Sequence, residues 1–172
     1  MLLPFLGGKM RYLKPYKPVI EINNNRYELI YSLEVIDEIQ DKTQLPMIEV
    51  ISMLFDYKTR EAAVKLLIKY LTGQIIAIKE NELESYSILL LNTYIEQIKS
   101  KEIKGNQAKE KPNGEHEFID VERLFYIGTV VLNRPEEKVW AMTVRELRTL
   151  HNEHAAYNGW IKEEEEQSLL KL

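Results

Sequence analysis

His151-Asn-Glu-His154 places two imidazoles and a carboxylate within one helical turn of this 172-residue chain. Zinc hydrolysis from a helix needs His at i and i+4 with Glu after the first, so that both rings reach one ion. Here the spacing is i, i+3, and no third ligand is evident. The simpler reading is one ring packed on the helix and one at the surface near its C-terminal end, with His154 the inward one. Other candidates carry less chemistry. Glu136-Glu137 and Glu163–Glu166 lie in polar runs with nothing to raise a carboxyl pKa, which a general acid requires. There is no GxxxxGK[ST], GxGxxG or GxSxG, and Gly7-Gly8-Lys9 lacks the strand and helix that a phosphate loop needs. The chain has no cysteine, which removes disulfides, thiol nucleophiles and thiolate-held zinc together. No active site, metal or cofactor is expected, and the role should be non-enzymatic.

The histidines belong to the most strongly patterned stretch, Val121–Trp160. Val121, Leu124, Gly128, Val131 and Leu132 recur at helical spacing. Asn133-Arg134-Pro135 stops that helix, because proline has no backbone donor and restricts the residue before it. Thr143 and Glu146 have capping-box spacing for a second helix. Val144, Leu147, Leu150, His154 and Tyr157 follow on one stripe. Gly159 stands where a left-handed C-terminal residue is expected, with Trp160 placed to fold back over the last turn.

Upstream, Pro18–Ser32 reads as a β-hairpin. Ile20 and Ile22 alternate with Val19 and Glu21, Tyr27, Leu29 and Tyr31 alternate with Glu28 and Ile30, and Asn23-Asn24-Asn25 suits a tight turn. Ser32 should cap a helix that turns Leu33, Ile36 and Ile39 or Gln40 inward until Asp41–Thr43 and Pro46 end it. Met47, Val50, Ile51 and Leu54 give a short second helix. Asp56 or Thr59 opens a third, striped by Ala63, Leu66, Leu67, Tyr70 and Leu71 and stopped by Gly73. Gln74–Lys79 reads as a connector. A longer helix begins at Glu80, with Ile88, Leu91, Ile95 and Ile98 at 3-4-3 spacing and Leu90 and Tyr94 widening the stripe. Four such side chains are worth ~6–12 kcal/mol when buried. They form either core or a surface that awaits a partner's amphipathic helix.

Lys101–His116 is polar and carries Gly105, Pro112 and Gly114, the best linker in the chain. The expected organisation is a basic arm over 1–17, a hairpin-plus-helices domain over 18–102, a linker over 103–117, and a helical domain with an acidic tail over 118–172. The fold class is mainly α with a small N-terminal β-hairpin, in two small helical domains.

Composition is that of a globular protein, 45% hydrophobic and 29% charged. The net charge of −4 argues against nucleic acid, which needs clustered positive charge. Residues 1–18 hold Lys9, Arg11, Lys14 and Lys17 and no acid, so the body is acidic and the arm basic. Such an arm is more often solvated than clamped on a neighbouring copy. MLLPFLGGKM lacks a charged start and a long apolar run, so it does not read as a signal peptide, and Met10 is an equally good start. No apolar run approaches the ~20 residues that span a bilayer. A cytoplasmic protein is expected.

VLNRPEEKVWAMTVRELRTLHNEHAAYN resembles the C-terminal part of tail assembly chaperones of long-tailed phages. The shared pattern falls on Val139, Trp140, Met142, Thr143, Arg145, Leu147, Leu150 and His154. Val144 stands where proline is common, a position where proline only assists the cap. The N-terminal part is similar too, in Ile20-Glu-Ile-Asn-Asn-Asn-Arg-Tyr-Glu-Leu29 and in Tyr70-Leu-Thr-Gly73. The resemblance implies a chaperone that coats the helical tape measure protein until tail tube subunits polymerise round it, in the long form with a second, tail-tube-recruiting part. On that reading Ile88, Leu91, Tyr94, Ile95 and Ile98 would meet the tape measure protein. Trp140, Arg145, Arg148, Asn152 and Tyr157 would meet the tail tube protein, with self-association a further contact. For Trp140, a core plug between two helices is the competing reading. A structural tail-completion or connector subunit kept in the virion is the alternative function. A helix-turn-helix regulator ranks last, since Glu146 and Glu153 offset Arg145 and Arg148.

Overall fold

A computed structural model describes residues 16–22, 24–98 and 118–160. Most of the basic arm, the 103–117 linker with His116, and the acidic tail lie outside the described residues. The chain is mainly helical with one small hairpin. Val19–Ile22 (β1) and Asn25–Glu28 (β2) pair antiparallel, with Ile22 opposite Asn25 and Val19 opposite Glu28. Asn24 takes φ +64°, the left-handed conformation that asparagine tolerates in tight turns. Ile20 and Ile22 are buried and Val19 and Glu21 exposed, as the alternation requires.

Strand pairing stops earlier than the alternation suggests, because β2 ends at Glu28 while Leu29 and Tyr31 are fully buried beyond it. The cause is Pro18, which has no N–H to give the carbonyl opposite it. Leu29 N–H still donates to Pro18 C=O at 2.8 Å. From there the side-chain amide of Gln97 takes over. Its Nε2 donates to Leu29 C=O at 2.8 Å and to Tyr16 C=O at 2.6 Å, and its Oε1 accepts Tyr31 N–H at 2.6 Å. A primary amide thus does the work of a strand residue where the ladder opens.

Ser32 Oγ accepts Val35 N–H and starts Leu33–Thr43 (α1), which buries Leu33, Ile36, Ile39 and Gln40. Left-handed Gln44 ends it ahead of Pro46. Met47–Ser52 (α2) and Arg60–Thr72 (α3) follow, and left-handed Gly73 closes α3. Residues 74–79 form no regular element and connect, as expected. A 3-10 turn over Glu80–Glu82 leads into Leu83–Ile98 (α4). After the linker, Asp120 caps Val121–Tyr126 (α5) by accepting Arg123 N–H at 2.9 Å. The helix widens to a π-turn over Ile127–Val131 and ends at left-handed Asn133. Glu136–Trp140 (α6) and Val144–Tyr157 (α7) complete the fold. The Thr143–Glu146 capping box is present in full. Trp160 N–H donates to Ala155 C=O and Gly159 N–H to Ala156 C=O, closing α7 in a Schellman motif.

Two inward faces differ from the sequence reading. On α3 the buried residues are Ala63, Val64, Leu67 and Ile68, with Leu66, Tyr70 and Leu71 only half-buried. On α4 they are Ser87, Leu90, Thr93, Tyr94 and Gln97, so the Ile88–Ile98 stripe sits on the flank. Ser87 and Thr93 enter the core because their hydroxyls donate to the Leu83 and Leu89 carbonyls one turn back.

The described residues of the two parts, 18–98 and 118–160, share packing across the linker. One apolar cluster joins Leu33, Ile36 and Leu90 to Val121, Leu124, Val139, Val144 and Leu147. Gln40 clamps the start of the second part, donating Nε2–H to Ile119 C=O at 3.1 Å and accepting Ile119 N–H at 2.9 Å. Leu33 N–H donates to Met142 C=O at 2.9 Å, and Ser32 bridges Thr143. Among the described residues no helix is long and apolar enough to cross a membrane.

Candidate partner-binding surfaces

α4 is an apolar helix with polar residues at three of its core positions, so its hydrophobic surplus falls on the flank. Ile88 is 53% exposed, while Leu91, Ile95 and Ile98 are half-buried against the core edge. Together they make an apolar strip along most of the helix. Tyr94, expected on the same surface, belongs to the core instead. It is 9% exposed and meets Tyr31 edge to face, ring centroids 5.7 Å apart. Burial pushes its hydroxyl pKa up, and the Arg148 charge partly offsets that. Tyr31 is raised more strongly still, by complete burial and then by Tyr94, and its hydroxyl faces Leu90 C=O at 3.4 Å. Both tyrosines are packing residues.

The second surface begins at α6. Trp140 is half-buried and stacks on Phe125, ring centroids 4.6 Å apart with 29° between planes. It is neither a sealed plug nor a free anchor, since one side is packed and part of the ring remains open. The close approach comes from Gly128. A Cβ there would lie 2.5 Å from Val139 Cγ1 and 3.0 Å from Leu147 Cδ2, so glycine lets the π-turn press on α6 and α7.

On α7, Val144 and Leu147 are buried as expected, whereas Leu150 and His154 are half-buried and Ala155 takes an inward place. Arg145, expected to point outward for a partner, is engaged within the chain. Its Nη1 donates to Glu96 C=O at 2.8 Å and to the Glu96 carboxylate at 2.9 Å, in the last turn of α4. A cation there also suits the negative end of the helix. Arg148 is half-buried near Tyr94, and burial lowers its pKa against the opposing effect of that ring. Arg145 therefore fastens α7 to α4. Tyr157 is 91% exposed and stands off the inner stripe on which the sequence placed it. Trp160 folds back as expected, meeting the His154 ring edge to face at 5.3 Å.

His151 and Asn152 form a small polar knot. Desolvation lowers the His151 pKa, with His154 and then Arg123 adding to the effect. The Asn152 side chain pulls the other way, but His151 Nδ1 and Asn152 Oδ1 are both buried without a well-formed hydrogen bond. Among the described residues no three His, Asp or Glu side chains converge as metal ligands.

Sequence reasoning missed Gln40 and Gln97 as the joints of the molecule. Their partners lie 66 to 81 residues away, and no local pattern announces such bonds. Compared with family models, curated proteins and solved structures, the chain matches none.

Proposed function

We propose that this chain is a non-enzymatic tail assembly chaperone of a long-tailed phage, acting in the host cytoplasm. On this reading the α4 flank holds amphipathic helices of the tape measure protein, and the Trp140–Tyr157 side meets tail tube subunits. The observation that carries it is the strip of Ile88, Leu91, Ile95 and Ile98. A straight apolar strip on a 16-residue helix suits a partner helix with anchors at i, i+3, i+4 and i+7. The motif around Trp140 and Thr143 adds the resemblance to such chaperones. A holding role asks for no catalytic group, only for apolar area that stays soluble until a partner covers it.

Co-expression of the full chain with the tape measure protein tests this. The tape measure protein should move into the soluble fraction, and Ile88→Lys should return it to the pellet without changing the melting temperature of the chain. A tape measure protein that stays insoluble at equal expression of the parent chain would overturn the reading. For the second surface, Tyr157→Ala is the informative variant, because Tyr157 is exposed and Arg145 is already bonded to Glu96.

A further inference from the structure

Among the described residues nothing pairs with the outer edge of β1. Leu29 N–H reaches Pro18 C=O, and the register pairs Ile20 with Tyr27 and Ile22 with Asn25. In an antiparallel ladder alternate residues turn their backbone groups to the partner strand. Pro18, Ile20 and Ile22 thus face β2, and Lys17, Val19 and Glu21 turn their N–H and C=O groups away. No described residue pairs with those outward groups. Val19 is 46% exposed, and Lys17 and Glu21 are exposed on the same face.

An open edge takes another strand unless something blocks it, and charges or proline on the edge are the usual blocks. Here neither blocks a second copy of the same strand. We propose that β1 is a self-pairing edge: two copies of the chain join their β1 strands antiparallel about a two-fold axis through Val19, making one four-stranded sheet. In that register Val19 faces Val19 of the partner copy and exchanges both hydrogen bonds with it. Lys17 faces Glu21 of the partner copy, and Glu21 faces its Lys17, so both charge pairs attract. Pro18 lands opposite Ile20 at a non-hydrogen-bonded pair, where its missing N–H costs nothing. Tyr16, 45% exposed, lands opposite Ile22 of the partner copy, beside a shallow cleft lined by Glu21, Ile22, Ile75, Ile76, Ala77 and Tyr86. Ile75, 85% exposed, gains cover there. A contact of this size belongs to the transient class, and it is isologous, so it closes at two copies. It is independent of the α4 flank and of any phage partner.

Sedimentation of the full chain from about 10 µM to 1 mM should show a reversible monomer–dimer equilibrium that weakens with salt. Glu21→Lys replaces two attractive pairs by two repulsive ones and should raise the dimer Kd roughly fourfold or more by the usual worth of cross-strand pairs. Adding Lys17→Glu to that variant restores opposite charges in the same register and should restore the dimer. Because the chain has no cysteine, Val19→Cys offers a single thiol. Hydrogen-bonded antiparallel neighbours have Cα atoms ~5.5 Å apart, within disulfide reach. Mild oxidation should therefore link Val19→Cys into dimers and leave exposed Tyr57→Cys monomeric. A parent chain that stays monomeric to roughly 1 mM would overturn the proposal. So would a Glu21→Lys variant that dimerises like the parent, or equal cross-linking at positions 19 and 57.

Discussion

Replacing Gln97 by leucine keeps most of its volume and removes all three of its hydrogen bonds. Tyr16 C=O sits on an exposed residue and water can take the vacated place. Leu29 C=O and Tyr31 N–H belong to residues that are 0% exposed, so both are left buried without a partner. An unsatisfied buried backbone group costs ~1–3 kcal/mol. Two of them cost ~2–6 kcal/mol, a large part of the ~5–15 kcal/mol that stabilises an ordinary domain. Denaturant unfolding of the full chain, followed by far-ultraviolet circular dichroism, should show the midpoint falling with an unchanged slope. Hydrogen exchange supplies the local test: Tyr31 N–H, protected in the parent, should exchange much faster in Gln97→Leu. Gln97→Glu probes the donor side separately. It keeps an acceptor for Tyr31 N–H but aims a carboxylate at two carbonyls, which raises the introduced carboxyl's folded pKa above its unfolded value. Its stability should therefore be greatest at low pH, and be lost as pH rises through that raised folded pKa. If Gln97→Leu unfolds within ~0.5 kcal/mol of the parent, the range for an inconsequential substitution, the bridging role assigned to this amide is wrong.

Gly128→Ala should destabilise the chain by ~1–3 kcal/mol through overpacking against Val139, despite alanine's better helix propensity. The double variant with Val139→Ala should recover part of that loss in the same melt. Expressing the chain as two pieces cut between 99 and 117 should give fragments that co-purify, because Gln40–Ile119, Leu33–Met142 and Arg145–Glu96 cross between them. Pieces that each fold but never associate would contradict the shared core. The lowered His151 pKa means that the unfolded chain binds a proton more readily than the folded one. That contribution to stability is present above pH ~6.5 and is lost as pH falls through the ordinary histidine range. His151→Gln should flatten the pH dependence of the unfolding midpoint between pH 5 and pH 7, roughly that same range.

What could be read from the sequence was the chemistry confined to four or five consecutive residues. The Thr143–Glu146 box, the Ser32 cap, the Gly73 stop and the Gly159–Trp160 closure each depend on neighbours within a turn, and each is formed. Helix faces were less legible where apolar residues run consecutively. Ile88-Leu89-Leu90-Leu91 offers several candidate stripes, and the choice fell to Gln97, Thr93 and Ser87, whose polar side chains gave no sign of facing inward. The two-part organisation followed from the polar linker, yet a linker limits only chain connectivity. What the flanking parts do is decided by Gln40, Leu33 and Arg145 reaching across it. The same bonds changed the outlook for the second surface, since an arginine that looks spare on a helical wheel can already be spent on a neighbouring carbonyl. Of the expected contacts on the first surface, Ile88 remains open, Leu91, Ile95 and Ile98 remain partly so, and Tyr94 is closed.

The bridge between Ser32 and Thr143 joins the starting points of α1 and α7. Synthesis runs from the N-terminus, so α1 leaves the ribosome about 100 residues before Leu147, which helps cover the core that α1 faces. At ~5–20 residues per second that interval lasts about 5–20 s. Gln40 waits until Ile119 is translated, and Leu33 until Met142 is. Codon changes that slow translation after residue 98 should lengthen this exposure and raise the fraction lost to aggregation.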